Sequence, residues 1–387
     1  MRAVVCHQGE LAVADVTTPE PGPGEVLLRV RRAGICGSDL HARHDCDATA
    51  DVTAEVGYDG FMRSDQSVVM GHEFVGEVVS YGTKCRKKWA PGTAVVALPM
   101  VRRAGDPHLT GLSEHAPGAY AEFVIVSEDM AMVVPDEVSL DQAALTEPLA
   151  VAYHAVRRGD PGKRDVSVVI GCGPIGLAVI AVLKAMGVRT VIASDLSAGR
   201  RELARQVGAD IVVDPTVDSP WEKVLEKGRY ISQADQLFDA AFDGMHTLRR
   251  IPLLGWSRVF HLADKLGATP RGPVVFECVG VPGILEQVMT GAPLRARIVV
   301  VGVCMQPDTI RPVMGINKEL ELRFAFGYDP AEFHDTLQLI ADGKVSVDPL
   351  ITATIGFDGV AAAFDALGAA ENHAKVLIDP DSSVATI

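Results

Sequence analysis

Four residues whose side chains can bind a metal ion stand in three short segments that lie far apart in the chain. They are Cys36, His72, Glu73 and Glu147. A thiolate, a neutral imidazole and one of the two carboxylates would give Zn²⁺ three protein ligands and leave the fourth tetrahedral position open for water or substrate. Because sulfur mixed with nitrogen and oxygen favours zinc over magnesium or calcium, these residue types predict a catalytic zinc site.

Each of these segments is weak evidence when it is taken alone. A single cysteine is more often a small buried apolar residue, and a single histidine before a strand is more often a surface or core residue. The hypothesis of a metal site therefore depends on the elements that position these side chains, and the most informative elements follow later in the chain.

A strand, a glycine turn and a helix follow one another from residue 166 onward. The apolar run 166–170 has the length of a strand, and the apolar stretch 177–186 after the turn is typical of a helix. In this context the glycines allow a tight turn, a close approach of pyrophosphate and packing of the helix on the strand, while the helix N-terminus faces the phosphates. The residues assigned to the cofactor are Gly171, Gly173, Pro174, Ile175 and Gly176.

An acidic residue stands where a dinucleotide-binding strand is expected to end. Asp195 follows the buried run 188–194 and lies 22 residues after Gly173, which is the spacing of a carboxylate that accepts hydrogen bonds from both ribose hydroxyls. Such a carboxylate repels a 2′-phosphate, although Arg200 and Arg201 offset part of this repulsion. The sequence therefore favours NAD over NADP, with Arg200 included among the cofactor residues.

Two more apolar runs, 274–280 and 298–303, read as parallel strands that are buried on both faces. The carboxyl ends of such strands meet at the edge of the sheet where a dinucleotide binds. We therefore assign Val279, Val301 and Val303 to the cofactor site.

Six short motifs occur together in this chain. They are 33–41 (AGICGSDLH), 71–77 (GHEFVGE), 146–151 (TEPLAV), 171–176 (GCGPIG), 343–345 (GKV) and 375–380 (KVLIDP). Jointly they resemble the motifs of the zinc-dependent medium-chain dehydrogenase/reductase family, the group of alcohol, sorbitol and threonine dehydrogenases. The resemblance covers nearly the whole chain.

The resemblance implies a mixed α/β and β fold in two domains. A GroES-like, β-rich catalytic domain is expected over residues 1–152, completed by the returning segment 327–387. A Rossmann domain with a doubly wound parallel sheet is expected over residues 153–326. The active site is expected in the cleft between them.

The resemblance also assigns roles at the metal site. It makes Cys36 and His72 zinc ligands and Glu73 a close or alternating ligand. It places Glu147 where the polyol and threonine dehydrogenases carry a carboxylate, so that Glu147 argues for the polyol-like branch. Whether Glu73 or Glu147 is the resting third ligand stays open.

Three residues that follow Cys36 have supporting roles in this comparison. Zinc lowers the pKa of a bound oxygen, and the alcohol proton must leave before hydride is transferred. Ser38 matches the hydroxyl that contacts the substrate oxygen, and His41 matches the solvent end of the proton relay. By residue type alone, His41 would be an exposed helical residue. Asp39 either orients a ligating histidine or simply caps a helix.

The chain departs from the family pattern where a four-cysteine zinc lobe is expected. Residues 86–171 contain no cysteine, so we expect one catalytic zinc per chain and no structural zinc. The segment 102–117 retains two histidines and two acidic residues, but no four-ligand spacing emerges. We expect it to be a shortened surface loop.

Two insertions stand out beside these motifs. The stretch 42–70 should lie over the substrate entrance, where Tyr58, Phe61 and Met62 would line or cover an apolar pocket. The stretch between Asp214 and Val274 is longer than one crossover helix requires. Its large apolar residues predict additional helices; they are Trp221, Leu237, Phe238, Phe242, Leu253, Trp256 and Phe260.

The composition limits the partners and the location. The formal net charge of −14 argues against nucleic acid as a partner. The apolar stretch 166–187 is interrupted by glycine, proline and Lys184, so no membrane span is predicted. Seven scattered cysteines indicate a reducing compartment without disulfides, and Met1 opens directly into a strand without a signal peptide. We therefore expect a cytoplasmic protein.

The interpretation that fits these observations is a zinc-dependent, NAD-linked dehydrogenase that interconverts an alcohol and a ketone or aldehyde. A secondary alcohol, diol or polyol is the expected substrate class. One alternative is a carbonyl reductase that works mainly toward the alcohol, and another is an inactive dinucleotide-binding structural or regulatory protein. The presence of every candidate site residue favours the enzyme. The family further implies a homodimer or homotetramer that pairs through the Rossmann edge.

Overall fold

The structure is a computed structural model that describes residues 1–227, 230–250, 255–265, 271–369 and 373–387. Its strands are, in chain order, β1 (Arg2–His7), β2 (Glu10–Asp15), β3 (Glu25–Gly34), β4 (Val68–Val69), β5 (Glu73–Tyr81), β6 (Ala94–Ala97), β7 (Met100–Arg103), β8 (Asp106–Leu109), β9 (Phe123–Ser127), β10 (Ala131–Val133), β11 (Val166–Ile170), β12 (Thr190–Ser194), β13 (Ile211–Val213), β14 (Val274–Glu277), β15 (Arg297–Val300), β16 (Glu321–Phe324), β17 (Ile351–Ile355) and β18 (Lys375–Ile378).

The α-helices alternate with these strands mainly in the middle of the chain. They are α1 (Gly37–Glu55), α2 (Leu140–Ala143), α3 (Thr146–Gly159), α4 (Pro174–Ala185), α5 (Ala198–Gln206), α6 (Pro220–Leu225), α7 (Ala234–Arg249), α8 (Trp256–Lys265), α9 (Ile284–Gly291), α10 (Pro312–Lys318), α11 (Pro330–Ala341) and α12 (Val360–Ala369). Short 3-10 turns cover Glu128–Met130, Asp348–Leu350 and Phe357–Gly359.

The first sheet combines strands from both ends of the chain. Its order is β10-β6-β5-β3-β18-β17, and β9 also pairs with β3. The strand β18 is antiparallel to β3, with Leu377 opposite Gly34, and parallel to β17. A smaller sheet, β2-β1-β4, lies beside it. The last segment of the chain is therefore an interior part of the N-terminal sheet.

The second sheet is entirely parallel, with the order β13-β12-β11-β14-β15-β16. Numbered from its own first strand, this is the order 3-2-1-4-5-6 of a doubly wound dinucleotide-binding sheet. Because the order reverses between β11 and β14, a crevice opens there at the carboxyl ends of the strands. The strands β14 and β15, which form the first part of the predicted apolar runs, are largely buried, as two helical layers require.

The helix α4 begins and ends where its sequence dictates. Pro174 occupies the first turn, where its missing N–H costs nothing, and Gly187 adopts a φ of +80° just after the helix. Between these points the helix is almost entirely apolar and its side chains are buried from Gly176 to Leu183. The predicted strand, turn and helix are thus all present.

The helix α3 connects the two sheets. It packs against β5 of the first sheet, against β14 and β15 of the second, and against α4 and α11. The position at which we expected the first domain to end, residue 152, lies inside this helix. One continuous helix therefore carries the chain from one sheet to the other.

The additional helices expected between Asp214 and Val274 are present as α6, α7 and α8. Trp221 in α6 packs onto the core beneath the second sheet, while Phe238 and Phe242 in α7 are exposed. Trp256 and Phe260 in α8 contact one another edge to face. Leu253, which we also expected in a helix, lies outside the described residues.

The segment 102–117, which we expected to be a shortened surface loop, contributes most of the antiparallel hairpin β7–β8 and a packed turn. His108, Thr110 and Ser113 in this segment are buried. The sequence pattern does not reveal these two strands, because each is only four residues long and carries charged residues on its exposed face. Among the described residues, no helix is both long and apolar enough to cross a bilayer.

Candidate active site

Three of the candidate metal ligands converge where β3 ends and β5 begins. Cys36 follows β3 and precedes the first turn of α1, while Glu73 is the first residue of β5 and His72 precedes it. Their ligand atoms all lie within 4.8 Å of one another, and no second group of this kind forms among the residues that the structure describes. One sulfur, one nitrogen and one oxygen at this spacing are a donor set that fits zinc.

Asp39 both caps α1 and orients the imidazole. Its Oδ2 accepts a hydrogen bond from the backbone N–H of Cys36 at 3.0 Å and another from the hydroxyl of Tyr120 at 2.6 Å. Its Oδ1 lies 3.2 Å from Nδ1 of His72, an ion-pair distance without the alignment of a regular hydrogen bond. The carboxylate therefore favours a proton on Nδ1 and leaves Nε2 for a metal ion.

The free edge of the imidazole faces the first turn of α1. The Oγ of Ser38 lies 3.3 Å from Nε2 of His72, and both residues are largely enclosed by protein. His41 stands three residues further along α1, on the same side of the helix, and is half-buried. The helix thus places a hydroxyl at the cluster and a half-buried imidazole one turn away on the same side, which is the order of groups in the predicted proton relay.

The protonation of the cluster reflects its burial. Desolvation would lower the pKa of His72, but the charge and hydrogen bonding of Asp39 and the contact with Cys36 raise it well above its usual value. Although Cys36 is half-buried as a residue, desolvation raises the pKa of its thiol, and Glu73 adds to this rise while His72 opposes it. A metal that binds here must therefore displace protons from its ligands.

A lysine that we had not assigned to the site holds the Glu73 carboxylate. Lys375, the first residue of β18, places Nζ 2.8 and 2.7 Å from the two carboxylate oxygens, and both residues are buried. A Cβ at Gly34 would overlap the Oε2 atom of Glu73, so this position needs glycine. The two partners are 302 residues apart, so no local sequence pattern could have paired them.

Glu147 lies outside the converging group but beside it. It stands in the first turn of α3 and is buried, and its Oε1 accepts a hydrogen bond from the hydroxyl of Tyr328 at 2.9 Å. Burial raises the pKa of Glu147 to about 7; the charge of His72 opposes this rise and that of Glu73 adds to it. A carboxyl that is half protonated near neutral pH can exchange a proton or accept a metal. Tyr328 was not singled out from the sequence, because an isolated tyrosine in a linker carries no signal.

The glycine turn lies at the crevice of the second sheet and fits a dinucleotide. Gly171 has a φ of +89°, and a Cβ there would lie 2.7 Å from the Val279 side chain. At Gly176 a Cβ would overlap the carbonyl oxygen of Gly171, so α4 could not approach the strand. The Arg200 guanidinium lies 3.9 Å from the Cβ position of Gly173, and its buried Nε has no hydrogen-bond partner among the described residues. An unpartnered donor beside an open glycine face suits an anionic cofactor.

Asp195 stands at the end of β12 and already accepts two backbone hydrogen bonds. Its Oδ2 accepts from the N–H of Cys172 at 2.6 Å and its Oδ1 from the N–H of Ser197 at 2.7 Å. Since each carboxylate oxygen can accept a second bond, ribose hydroxyls can still bind. Arg201 is turned away, because it pairs with Asp214 at 2.9 Å and donates to the Asp195 carbonyl. Of the two arginines, Arg200 alone faces the glycine turn.

The three valines assigned to the cofactor follow β14 and β15 at the same crevice. Val279 and Val303 are exposed although they are apolar, and Val301 is half-buried. The two loops touch, because a Cβ at Gly280 would lie 2.6 Å from the Val303 carbonyl oxygen. The structure therefore brings these valines to the edge that the sequence predicted.

The insertion 42–70 differs from our expectation of an apolar pocket. Its first part extends α1, and Phe61 and Met62 are buried in the core of the first sheet. Tyr58 accepts a hydrogen bond from the N–H of Leu109 at 3.0 Å. A cavity of about 410 Å³ does lie here, but ionisable and polar side chains dominate its walls. Among its lining residues are Tyr58, Asp59, Phe61, Asp106, His108, Glu114 and His115.

Comparison with known proteins decides the family. The model of the alcohol dehydrogenase GroES-like domain matches residues 22–136, and that of the zinc-binding dehydrogenase matches residues 174–245. The chain is 30% identical to (R,R)-butanediol dehydrogenase of Bacillus subtilis (strain 168), over 98% of this chain and 100% of that protein. The chain belongs to the zinc-dependent medium-chain dehydrogenase family.

Two further comparisons of this dehydrogenase with known proteins agree with the family. Human sorbitol dehydrogenase is 28% identical to it, over 94% of this chain and 91% of that protein. The crystal structure of 2R,3R-butanediol dehydrogenase from Bacillus subtilis superposes with a TM-score of 0.74 at 29% identity, covering 98% and 99% of the two chains. The expected family, fold class and reaction class are confirmed: this is a zinc-dependent oxidoreductase that acts on alcohols or polyols with NAD.

We predict that Glu147→Gln stabilises the metal-free dehydrogenase much more at pH 8 than at pH 5. The folded-state pKa of about 7 lies above the usual 4.5, so stability is greatest in acid and falls as the pH rises through this interval. Glutamine mimics the protonated acid, so the gain at pH 8 should reach about 3 kcal/mol. Urea denaturation of chelator-treated protein at both pH values measures it, and an equal effect at both would contradict the assignment.

Proposed function

We propose that this dehydrogenase oxidises a vicinal diol or another secondary alcohol to the corresponding ketone with NAD. Supporting this substrate class, the butanediol and sorbitol dehydrogenases it resembles are named after compounds with such hydroxyl groups. The observation that carries the proposal is the convergence of Cys36, His72 and Glu73 within 4.8 Å. Initial rates of NAD reduction across primary alcohols, secondary alcohols, diols and polyols test it, and a preference for primary alcohols would refute it.

In the proposed site, Cys36 and His72 hold zinc, and a carboxylate from Glu73 or Glu147 completes the protein ligands. Zinc supplies a Lewis acid that lowers the pKa of an alcohol oxygen, and NAD accepts the hydride. Asp39 fixes the orientation of His72, because it meets the ring at Nδ1 and is itself anchored by Tyr120. The donors are thus preorganised before substrate arrives.

The proton of the alcohol leaves along α1 in this proposal. Ser38 lies at the edge of the cluster, 3.3 Å from Nε2 of His72, and its hydroxyl can accept one proton while donating another. His41, one turn further along the helix, passes the proton toward solvent because it is only half-buried. Hydroxyl and imidazole on one helix face form a short route out of a closed site.

We predict that Cys36→Ala removes zinc and turnover while it leaves NADH binding intact. The thiolate is the softest donor of the cluster, and the dinucleotide crevice is built from other elements. Elemental analysis should give about one zinc per native chain and none in the variant, whereas NADH fluorescence titration should give similar affinities. Cys304→Ala is the matched control, because this cysteine is exposed and is not part of the converging group of ligands. Retained turnover in Cys36→Ala would contradict the mechanism.

We predict that Asp195→Asn shifts the cofactor preference toward NADP by about tenfold or more, since it removes a negative charge beside the ribose. Asparagine keeps the size of the side chain, although it loses one of the two backbone hydrogen bonds. The ratio of kcat/KM for NAD and NADP measures the shift. Asp214→Asn is the control, as its carboxylate pairs with Arg201 instead. An unchanged ratio in Asp195→Asn would show that the ribose carboxylate is misassigned.

We propose that two copies of the chain pair through β16. This strand ends the parallel sheet, so one of its edges carries unpaired backbone groups. Apolar side chains beside it are uncovered: Phe324 is 65% exposed, Phe326 93% and Ile316 in α10 76%. An edge strand with an adjoining apolar patch is typical of a subunit interface.

Phe326→Asp should therefore reduce the molar mass measured by light scattering to that of a single chain, or weaken the association by a large factor. Val217→Asp is the matched control, because Val217 is 84% exposed near the opposite edge of the sheet. A native protein that is already monomeric would refute the proposed interface.

We propose further that the chain moves as two domains. The first consists of residues 1–152 with 327–387, and the second of residues 153–326. The two separate sheets support the division. Crystal structures with and without NADH should show rigid-body closure about residues near 152 and 326; internal rearrangement without closure would refute it.

We propose also that the protein is cytoplasmic. Cell fractionation tests this location, and recovery outside the cytosol would contradict it.

A further inference from the structure

Lys375 is enclosed by protein, and the three oxygen atoms that its ammonium group contacts all lie beside the candidate metal cluster. Nζ lies 2.8 Å from Oε1 and 2.7 Å from Oε2 of Glu73, and 2.9 Å from the carbonyl oxygen of Ile35. An ammonium group has three donors, so all of them are used. The side chain is 3% exposed and that of Glu73 is fully buried.

Three features of the backbone bring Lys375 and Glu73 together. The strand β18 is fixed against β3, where Leu377 lies opposite Gly34 and the N–H of Ile35 donates to the carbonyl of Val376. The missing side chain of Gly34 leaves the space into which the Glu73 carboxylate turns. A buried ion pair is costly to desolvate and gives little net stability, so stability alone does not account for it.

The position of Glu73 creates a chemical problem that Lys375 can solve. Its carboxylate oxygen already lies within 4.8 Å of the Cys36 and His72 donor atoms. Its contacts with Lys375 are therefore what keeps it from becoming a permanent ligand. With Glu147 close by, a free Glu73 would bring a fourth protein ligand to zinc and close the position that substrate needs.

We propose that Lys375 is a positioning residue that holds Glu73 beside the metal and keeps one coordination position open for substrate. By occupying both carboxylate oxygens, the ammonium group weakens Glu73 as a ligand and neutralises its charge. A metal held by Cys36 and His72 would then keep more of its positive charge available for a substrate oxygen. This inference rests on the proposed metal site at Cys36 and His72.

Cobalt substitution tests the inference without relying on activity. The visible d–d absorption of Co²⁺ is intense in four-coordinate sites, and the positions of its bands depend on which ligands fill the four positions. In Lys375→Met we expect the bands to shift, because the Glu73 carboxylate takes the fourth position, and we expect removal of the metal by a chelator to slow by about tenfold, the size of effect that partners of metal ligands have on metal affinity. In Lys375→Arg, which keeps the positive charge, we expect the native spectrum.

The double variant Glu73→Gln/Lys375→Met separates positioning from a structural effect. It leaves no unpaired buried charge, and because Lys375 acts through Glu73, its spectrum should match that of Glu73→Gln alone. Lys344→Met, which removes an exposed lysine, is the matched control and should change nothing. If Lys375→Met does not fold, the comparison in the Glu73→Gln background decides.

Two outcomes would overturn the inference in distinguishable ways. A native chain that binds no cobalt would overturn the proposed metal site and this role with it. A native chain that binds cobalt, together with a Lys375→Met variant of unchanged spectrum and chelation rate, would overturn the role of Lys375 alone. A spectral change on adding Lys375→Met to Glu73→Gln would also refute it, since Lys375 would then act independently of Glu73.

Discussion

A charged group can be buried in a protein only where an opposite charge or a full set of hydrogen bonds meets it, and the centre of the first sheet is organised by this constraint. Asp39, His72, Glu73 and Lys375 are all buried there. Asp39 is met by His72, by the Tyr120 hydroxyl and by a backbone N–H, and Glu73 is met by Lys375. Since these groups come from α1, β5 and β18, the charges are satisfied only when all three elements have docked.

The second constraint is the relation between the metal cluster and the cofactor crevice. They belong to different sheets, and α3 is the element that packs on both. Its first turn presents Glu147 to the cluster, while its later turns pack against α4, the helix that follows the glycine turn. Each of the two sites therefore depends in part on the position of the same helix.

The sequence predicts the parts of this structure that depend on neighbouring residues. The strand at 166–170, the turn at Gly171 and the helix after Pro174 follow from local apolar pattern, a positive φ and helix-start chemistry, and all of them are present. Cys36 and His72 could be assigned to one site from the sequence, because both side chains can bind zinc and both lie in motifs that resemble those of one family. Their meeting is confirmed by geometry, whereas their roles as ligands stay predictions.

What the sequence did not yield depends on contacts between distant segments. Lys375 could be placed in a motif, but its partner is fixed by the pairing of β18 with β3. The same dependence on distant contacts explains why the expectation for the insertion 42–70 was wrong. Its aromatic and apolar residues suggested a substrate pocket. Phe61 and Met62 instead fill the core between α1 and the first sheet, and a list of residue types cannot distinguish an apolar pocket wall from an apolar core.

The two carboxylates beside the cluster meet the constraint on buried charge in different ways. Glu73 forms an ion pair with Lys375, whereas Glu147 contacts no basic side chain among the described residues and is instead half protonated near pH 7, with the Tyr328 hydroxyl as its donor. The cluster can therefore fold without an excess of negative charge. A metal ion held by Cys36 and His72 would add positive charge beside Glu147 and the Cys36 thiol, and so would favour the deprotonated form of both groups. Of the two carboxylates, Glu147 is thus the one without an ion-pair partner in the described part of the chain, while Glu73 is held by Lys375.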